Sequence, residues 1–153
     1  MERVDPAAED GLSSLLRDVN VRSVVYCLSE FAAPWGFSVE RSPVAKFHVL
    51  LAGTAALTVS GATPVRLVAG DLVVLPHGDG HTITDQSGSP ARQLDAILAE
   101  HPVDETGRMS YGGDGSRTTL LCGGFELGPV LPDELAELLP PVLAVDSSSG
   151  MVR

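Results

Sequence analysis

An all-β barrel or sandwich is the fold class this sequence predicts, and three observations predict it. Short segments rich in Val, Leu, Ile, Phe and Tyr recur between residues 21 and 127. Turn signals built from Gly, Pro, Asp and Ser separate them every roughly 8–12 residues, the spacing of antiparallel strands rather than of βαβ units. Several segments also alternate apolar and polar residues with the period of two that a half-buried strand requires. A chain of 153 residues suits one domain with a sizeable core. The expected organisation is an N-terminal arm with a short helix over 1–20, a barrel domain with a C-terminal helix over 21–145, and a flexible tail over 146–153.

In chain order, Asp5-Pro6 caps and starts a helix whose Leu12, Leu15, Leu16 and Val19 recur at helical spacing. Ser23 to Phe31 reads as the first strand, with Cys27 inside it. Ala33-Pro34-Trp35-Gly36 turns the chain, and Phe37 to Arg41 alternates as a second strand. Trp35, the single tryptophan, is expected as a lid on one end of the core, with ligand stacking as the alternative. Ala45 to Ala52 is a third strand in which Lys46, His48 and Leu50 face one way and Phe47, Val49 and Leu51 the other. Gly53 ends it, and Ala55 to Ser60 is expected to return as its hairpin partner. Val65 to Val68 and Asp71 to Leu75 follow as short strands.

Pro76, Gly78 and Gly80 then force a bend, because proline removes a backbone donor and glycine admits positive φ. Beyond it His81, Ile83 and Asp85 share one strand face, Thr82 and Thr84 the other. Gln93 to Leu98 is expected as another strand, and the polar, glycine-rich 100–117 as a mobile loop. Thr118 to Leu127 is the last strand, with Leu120 and Cys122 on one face and Gly123-Gly124 marking a bulge or a close backbone approach. Asp133-Glu134 start a short helix with Leu135, Leu138 and Leu139 in one stripe, and Pro140-Pro141 stop it.

Composition excludes several functions. The net charge is −10, from 20 acidic and 10 basic residues, and the basic residues are scattered, so this chain is not expected to bind nucleic acid directly. The acidic N-terminus does not resemble a signal peptide, and no apolar run reaches the roughly 20 residues of a membrane span. A cytoplasmic protein is expected. Two cysteines, Cys27 and Cys122, make no disulfide framework and are read as thiols or ligands.

The stretch from Gly70 to Asp85 carries a family resemblance. Gly70, Pro76, Gly78 and His81 fall at the intervals of the second cupin motif, with Asp85 where that motif usually has Asn. Phe47-His48 followed by Gly53, then Leu75-Pro76-His77-Gly78-Asp79-Gly80-His81, then Leu120-Leu121-Cys122-Gly123-Gly124-Phe125, resembles the cupin-type N-terminal effector domain of AraC-family transcription regulators. The resemblance covers about Val24 to Val145. It implies a cupin-like double-stranded β-helix, the jelly-roll barrel, with short flanking helices. It further implies an effector-sensing and dimerisation domain: a small-molecule effector, a homodimer, and DNA contacted through a C-terminal helix-turn-helix domain that is absent here.

The candidate site is His48, His77, His81 and Cys122, on elements that a cupin barrel brings to one end of its cavity. Three imidazoles and a thiolate suit a tetrahedral metal site, for which Zn2+ is the natural occupant. The alternative makes His48 and His81 hydrogen-bonded core histidines and Cys122 a small buried hydrophobe. Enzymatic cupins resemble one another in two nearby histidines and a glutamate seven residues before a glycine; here Lys46 stands seven before Gly53. That departure favours a sensor over the alternative, a small metal-dependent oxygenase or isomerase. Redox sensing through Cys27 and Cys122 is a third reading, and it requires their Cα atoms within disulfide range. Asp71 is read as a turn cap rather than as an acid–base partner of Asp85, and His101 as exposed.

Overall fold

The computed structural model describes residues 23–60, 62–85, 89–125 and 132–145. The helix expected after Asp5 and the tail from Asp146 lie outside them. Within the described residues two mixed sheets face each other, a cupin-type β-sandwich of jelly-roll character. The strands are β1 (Ser23–Ala32), β2 (Gly36–Val39), β3 (Ala45–Ala52), β4 (Thr54–Val59), β5 (Val65–Val68), β6 (Leu72–Leu75), β7 (His81–Thr84), β8 (Arg92–Gln93), β9 (Arg108–Gly112), β10 (Arg117–Phe125) and β11 (Leu143–Val145). One sheet has the order β11-β6-β3-β10-β1-β9, the other β5-β4-β7-β2-β8.

The period-two pattern sorts residues as expected. Leu50, Val73, Leu120 and Phe31 from the larger sheet meet Phe37, Leu57, Leu67 and Ile83 from the smaller one in a shared core. The opposite parity of β3, Phe47 and Val49, packs with Leu72, Val74 and Phe125 into a second cluster on the outer face of the larger sheet. That second cluster explains why all four residues of β6 are buried and why it reads as an unbroken apolar run. Trp35 is core rather than a ligand platform: it is 2% exposed and stacks on Phe31 with ring centroids 4.4 Å apart.

Five expectations are corrected. β4 is not the hairpin partner of β3; it pairs with β5 and β7 in the other sheet. Gly53 makes this corner at φ 86°, where a Cβ would lie 2.5 Å from the Arg117 carbonyl oxygen. Gln93 to Leu98 is not a strand but the two-residue β8 followed by helix α1 (Leu94–Glu100). Leu94, Ile97 and Leu98 stand at i, i+3 and i+4, and they turn one helical face onto the core, with Ile97 fully buried.

The segment expected as a loop contains β9, which runs parallel to β1 and buries Met109. β11, where no strand was expected, pairs antiparallel with β6. The bulge foreseen at Gly123-Gly124 lies across the ladder, in β1: the register slips between Val25, opposite Gly123, and Cys27, opposite Cys122. The C-terminal helix is a single turn, α2 (Asp133–Ala136), and Leu135 and Leu138 of its stripe are exposed.

Candidate functional site: a row of thiols and imidazoles

Three adjacent strands of the larger sheet bring the site together. Cys122 on β10 is the register partner of His48 on β3 and of Cys27 on β1, so the three side chains stand in a row across the inner face. His81, at the start of β7, reaches them from the opposite sheet. His48 Nδ1 is 3.1 Å from Cys122 Sγ, and His48 Nε2 is 2.8 Å from His81 Nε2. His81 Nδ1 is 2.9 Å from the Asp79 carbonyl oxygen, and Cys27 Sγ is 3.3 Å from Ser29 Oγ. All four side chains of the row are at most 4% exposed.

The terminal carbonyl orders the protons. A carbonyl can only accept, so His81 carries its proton on Nδ1. Burial lowers the pKa of His81 and drives that of His48 well below the usual imidazole value, helped at His48 by the repulsion that charging both neighbouring rings would bring and by the Lys46 ammonium. Both rings are therefore neutral near pH 7. His81 Nε2 then accepts from His48 Nε2–H, and His48 Nδ1 accepts from the Cys122 thiol.

Cys27 completes the row. The hydrogen bond from Cys122 lowers its pKa to about 6, against the opposing effect of burial and with help from the Ser29 hydroxyl. The same contact and burial push the Cys122 thiol well up. Of the two thiols Cys27 is therefore the one that gives up its proton first, and the Cys122 proton has two acceptors within reach, the Cys27 sulfur and His48 Nδ1.

The row floors a cavity of about 440 Å³ between the two sheets and α1. Cys27, Lys46, His48, Gln93, Leu98 and Cys122 are among its lining residues. Lys46 lies two residues before His48 on the same strand face; its ammonium donates to Ser42 Oγ and to the Val44 carbonyl oxygen, 2.5 and 3.4 Å away. Burial lowers its pKa. A second hollow of about 450 Å³, at the β1–β9–β10 end, has half-buried Glu30 and exposed His101 and Arg117 around it and neither a thiol nor a buried imidazole.

Of the four residues expected to form a metal centre, His48, His81 and Cys122 meet and His77 does not. His77 donates from Nε2 to the Leu139 carbonyl oxygen at 2.6 Å, tying the bend after β6 to the segment after α2. The remaining three do not fit zinc as they stand. Two imidazole nitrogens at about 2.0–2.1 Å from one tetrahedral zinc lie about 3.3 Å apart, whereas the His48 and His81 nitrogens are at direct hydrogen-bond distance. His48 also turns opposite ring nitrogens to His81 and to Cys122, and one ion cannot take both. Among the described residues no group of three or more His, Cys, Asp or Glu is arranged to hold a metal ion.

The carboxylates serve turns. Asp71 accepts from the Val68 backbone amide, and Asp85 from that of Trp35. His101 is exposed, with its ring edge-on to Tyr111. Ser29 and Gln93 escaped notice as site residues; the parity of Ser29 with Cys27 was a usable signal, whereas the helical turn that brings α1 over the cavity was not.

Three comparisons bear on this geometry. A 78-residue stretch is 24% identical to the HTH-type transcriptional regulator AlkR of Acinetobacter baylyi, covering 51% of this chain and 26% of the regulator. The match thus spans about a quarter of that relative's length. Among solved structures, the chain resembles YhaK from Escherichia coli, with a TM-score of 0.47, 13% identity, and coverage of 76% of this chain and 39% of that one. It also resembles a Cupin 2 conserved barrel domain protein from Salinispora arenicola CNS-205, with a TM-score of 0.35, 18% identity, and coverage of 90% and 97%. The family model described as cupin (Cupin_6) matches residues 10–152, nearly the whole sequence, and so this chain belongs to the cupin family.

Proposed function

We propose that this cupin domain is the effector-sensing module of an AraC-type transcription regulator, working as a homodimer and contacting DNA through a separate helix-turn-helix domain. The observation that carries the reading is the cavity of about 440 Å³, which has an apolar wall from α1 and a few converging polar groups at Lys46, His48 and Gln93. This is the make-up of a small-ligand site. Similarity to a regulator named for its helix-turn-helix supports it, as does the net charge of −10, which suits a sensor better than a DNA-contacting surface. A ligand under α1 would bias the packing of that helix against β2 and β8, and it acts on DNA only as far as its affinity differs between the two packings.

A thermal-shift screen of small carboxylates, amides and alcohols tests this. A ligand at 100 times its Kd stabilises by about 2.7 kcal/mol, which for a domain of this size raises Tm by about 5–10 °C. Shifts lost in Lys46→Met and in the cavity-filling Leu98→Trp support the reading. Failure of every compound, or shifts indifferent to both substitutions, overturns it. In a fusion to a monomeric helix-turn-helix module, the same compounds should change reporter output.

A further inference from the structure

We propose that Cys27 and Cys122 form a reversible intramolecular disulfide when a hydroperoxide enters the cavity, making the pair an oxidation site within this domain. The geometry carries the proposal. The two residues are register partners on adjacent antiparallel strands with side chains on the same face. Such partners have Cα atoms about 4.5–5.5 Å apart, inside the roughly 4.4–6.8 Å that a disulfide spans. Both sulfurs are free thiols, buried from bulk solvent but lining a cavity that admits a small oxidant and excludes proteins. The inference rests on this cavity and not on any attached DNA-binding part, so it stands or falls separately from the sensing reading.

The chemistry balances in two steps. The Cys27 sulfur attacks a hydroperoxide: an S–O bond forms, the O–O bond breaks, and the leaving oxygen departs as water or alcohol with the thiol's proton. Cys27 is then a sulfenic acid. The Cys122 sulfur attacks it, an S–S bond forms, the S–O bond breaks, and hydroxide leaves with the Cys122 proton as water. His48 Nδ1, 3.1 Å from Cys122 Sγ, is placed to take that proton and return it to the leaving hydroxide. Two thiols are oxidised by two electrons, and the hydroperoxide is reduced to an alcohol, or to water, plus one further water.

Oxidation also changes the row. The disulfide consumes the Cys122 proton, so His48 Nδ1 loses its donor and the hydrogen-bonded path from β1 to Asp79, in the bend before β7, is cut at its middle. A dithiol reductant restores it.

The test uses the full chain and hydrogen peroxide. Peptide mapping should show one cross-link joining the Cys27 and Cys122 peptides, with the intact mass lower by about 2 Da, the protein no larger in size, and both changes reversed by dithiothreitol. In Cys122→Ser, oxidation should stop at a Cys27 sulfenic acid that a cyclic 1,3-dione traps; in Cys27→Ser the trapped adduct should be absent. Both cysteines remaining open to alkylation after peroxide treatment of the wild type would overturn the proposal, as would a cross-link found only between two chains. Because the deciding readout is made on the wild type, misfolding of a variant cannot rescue or sink the idea.

Discussion

Replacing His48 with glutamine should flatten the dependence of stability on pH. His48 is 2% exposed, and burial holds its pKa well below that of an imidazole in the unfolded chain, about 6.5. The sign follows from proton counting. Above pH 6.5 both states carry a neutral ring; below it the unfolded chain binds a proton that the folded protein refuses. Stability therefore falls by about 1.4 kcal/mol per pH unit for this one group. Between pH 6.5 and 5.0 that is about 2 kcal/mol, a large share of the roughly 5–15 kcal/mol that holds a typical domain.

His48→Gln should be less stable than wild type at pH 7.5 by about 1–3 kcal/mol, through hydrogen bonds lost in a buried row. The gap should then close by about 2 kcal/mol on going to pH 5.0, because the variant has no imidazole at position 48 to charge. Carboxylates protonate in both proteins and cancel in the difference. Urea unfolding at four pH values between 7.5 and 5.0, with midpoint and slope both fitted, reads the effect. Two profiles running parallel through pH 6.5 would show that the folded protein accepts a proton at His48 after all, and the buried neutral row would be wrong.

Three further outcomes follow from particular contacts. The Cys27 thiolate absorbance near 240 nm should titrate with a midpoint of about 6, and Cys122→Ala should move it upward by removing the hydrogen bond that lowers it most; an unmoved midpoint contradicts that cause. Asp85→Ala should cost about 1–3 kcal/mol by stranding the buried Trp35 backbone amide. Asp85→Asn keeps an acceptor there and should cost far less, so equal losses in urea unfolding would rule the capping role out. Gly78 sits at φ 66° with the Ser42 carbonyl oxygen 2.0 Å from where a Cβ would stand. A glycine replacement that the backbone tolerates stabilises by about 0.4–1 kcal/mol, whereas Gly78→Ala should destabilise by more than about 1 kcal/mol and lower Tm by several degrees.

The sequence was most legible where one local rule acted alone. Period-two alternation separated His48 and Leu50 from Phe47 and Val49 on β3 and put His81, Ile83 and Asp85 on one face; the structure turns the first pair to the inner face, the second to the outer one, and buries the third set. It was least legible where tertiary pairing overrode a local signal. Gly53 looked like a hairpin turn, but its positive φ passes the chain from one sheet to the other, a choice made by strands far away in sequence. Six residues from Gln93 to Leu98 were too few to separate helix from strand on apolar content. The spacing of Leu94, Ile97 and Leu98 held the answer.

At the site, residue type together with the cupin resemblance grouped His77 with His48, His81 and Cys122. Only the fold shows that His77 spends its ring on Leu139. Cys27 entered the reading only through a distance condition, because its neighbour is set by the register of β1 against β10, which a bulge shifts by one residue. A sequence carries no direct record of such a slip.

Two-bond 1H–15N correlation spectra of histidine-labelled protein at pH 7 test the buried row most directly, since they report the protonation of each ring nitrogen. His81 should appear as the neutral Nδ1–H tautomer and His48 as the neutral Nε2–H tautomer, with His48 Nδ1 hydrogen-bonded to a thiol. A charged imidazolium at either residue, or the shift of a metal-bound nitrogen at both, would contradict the account.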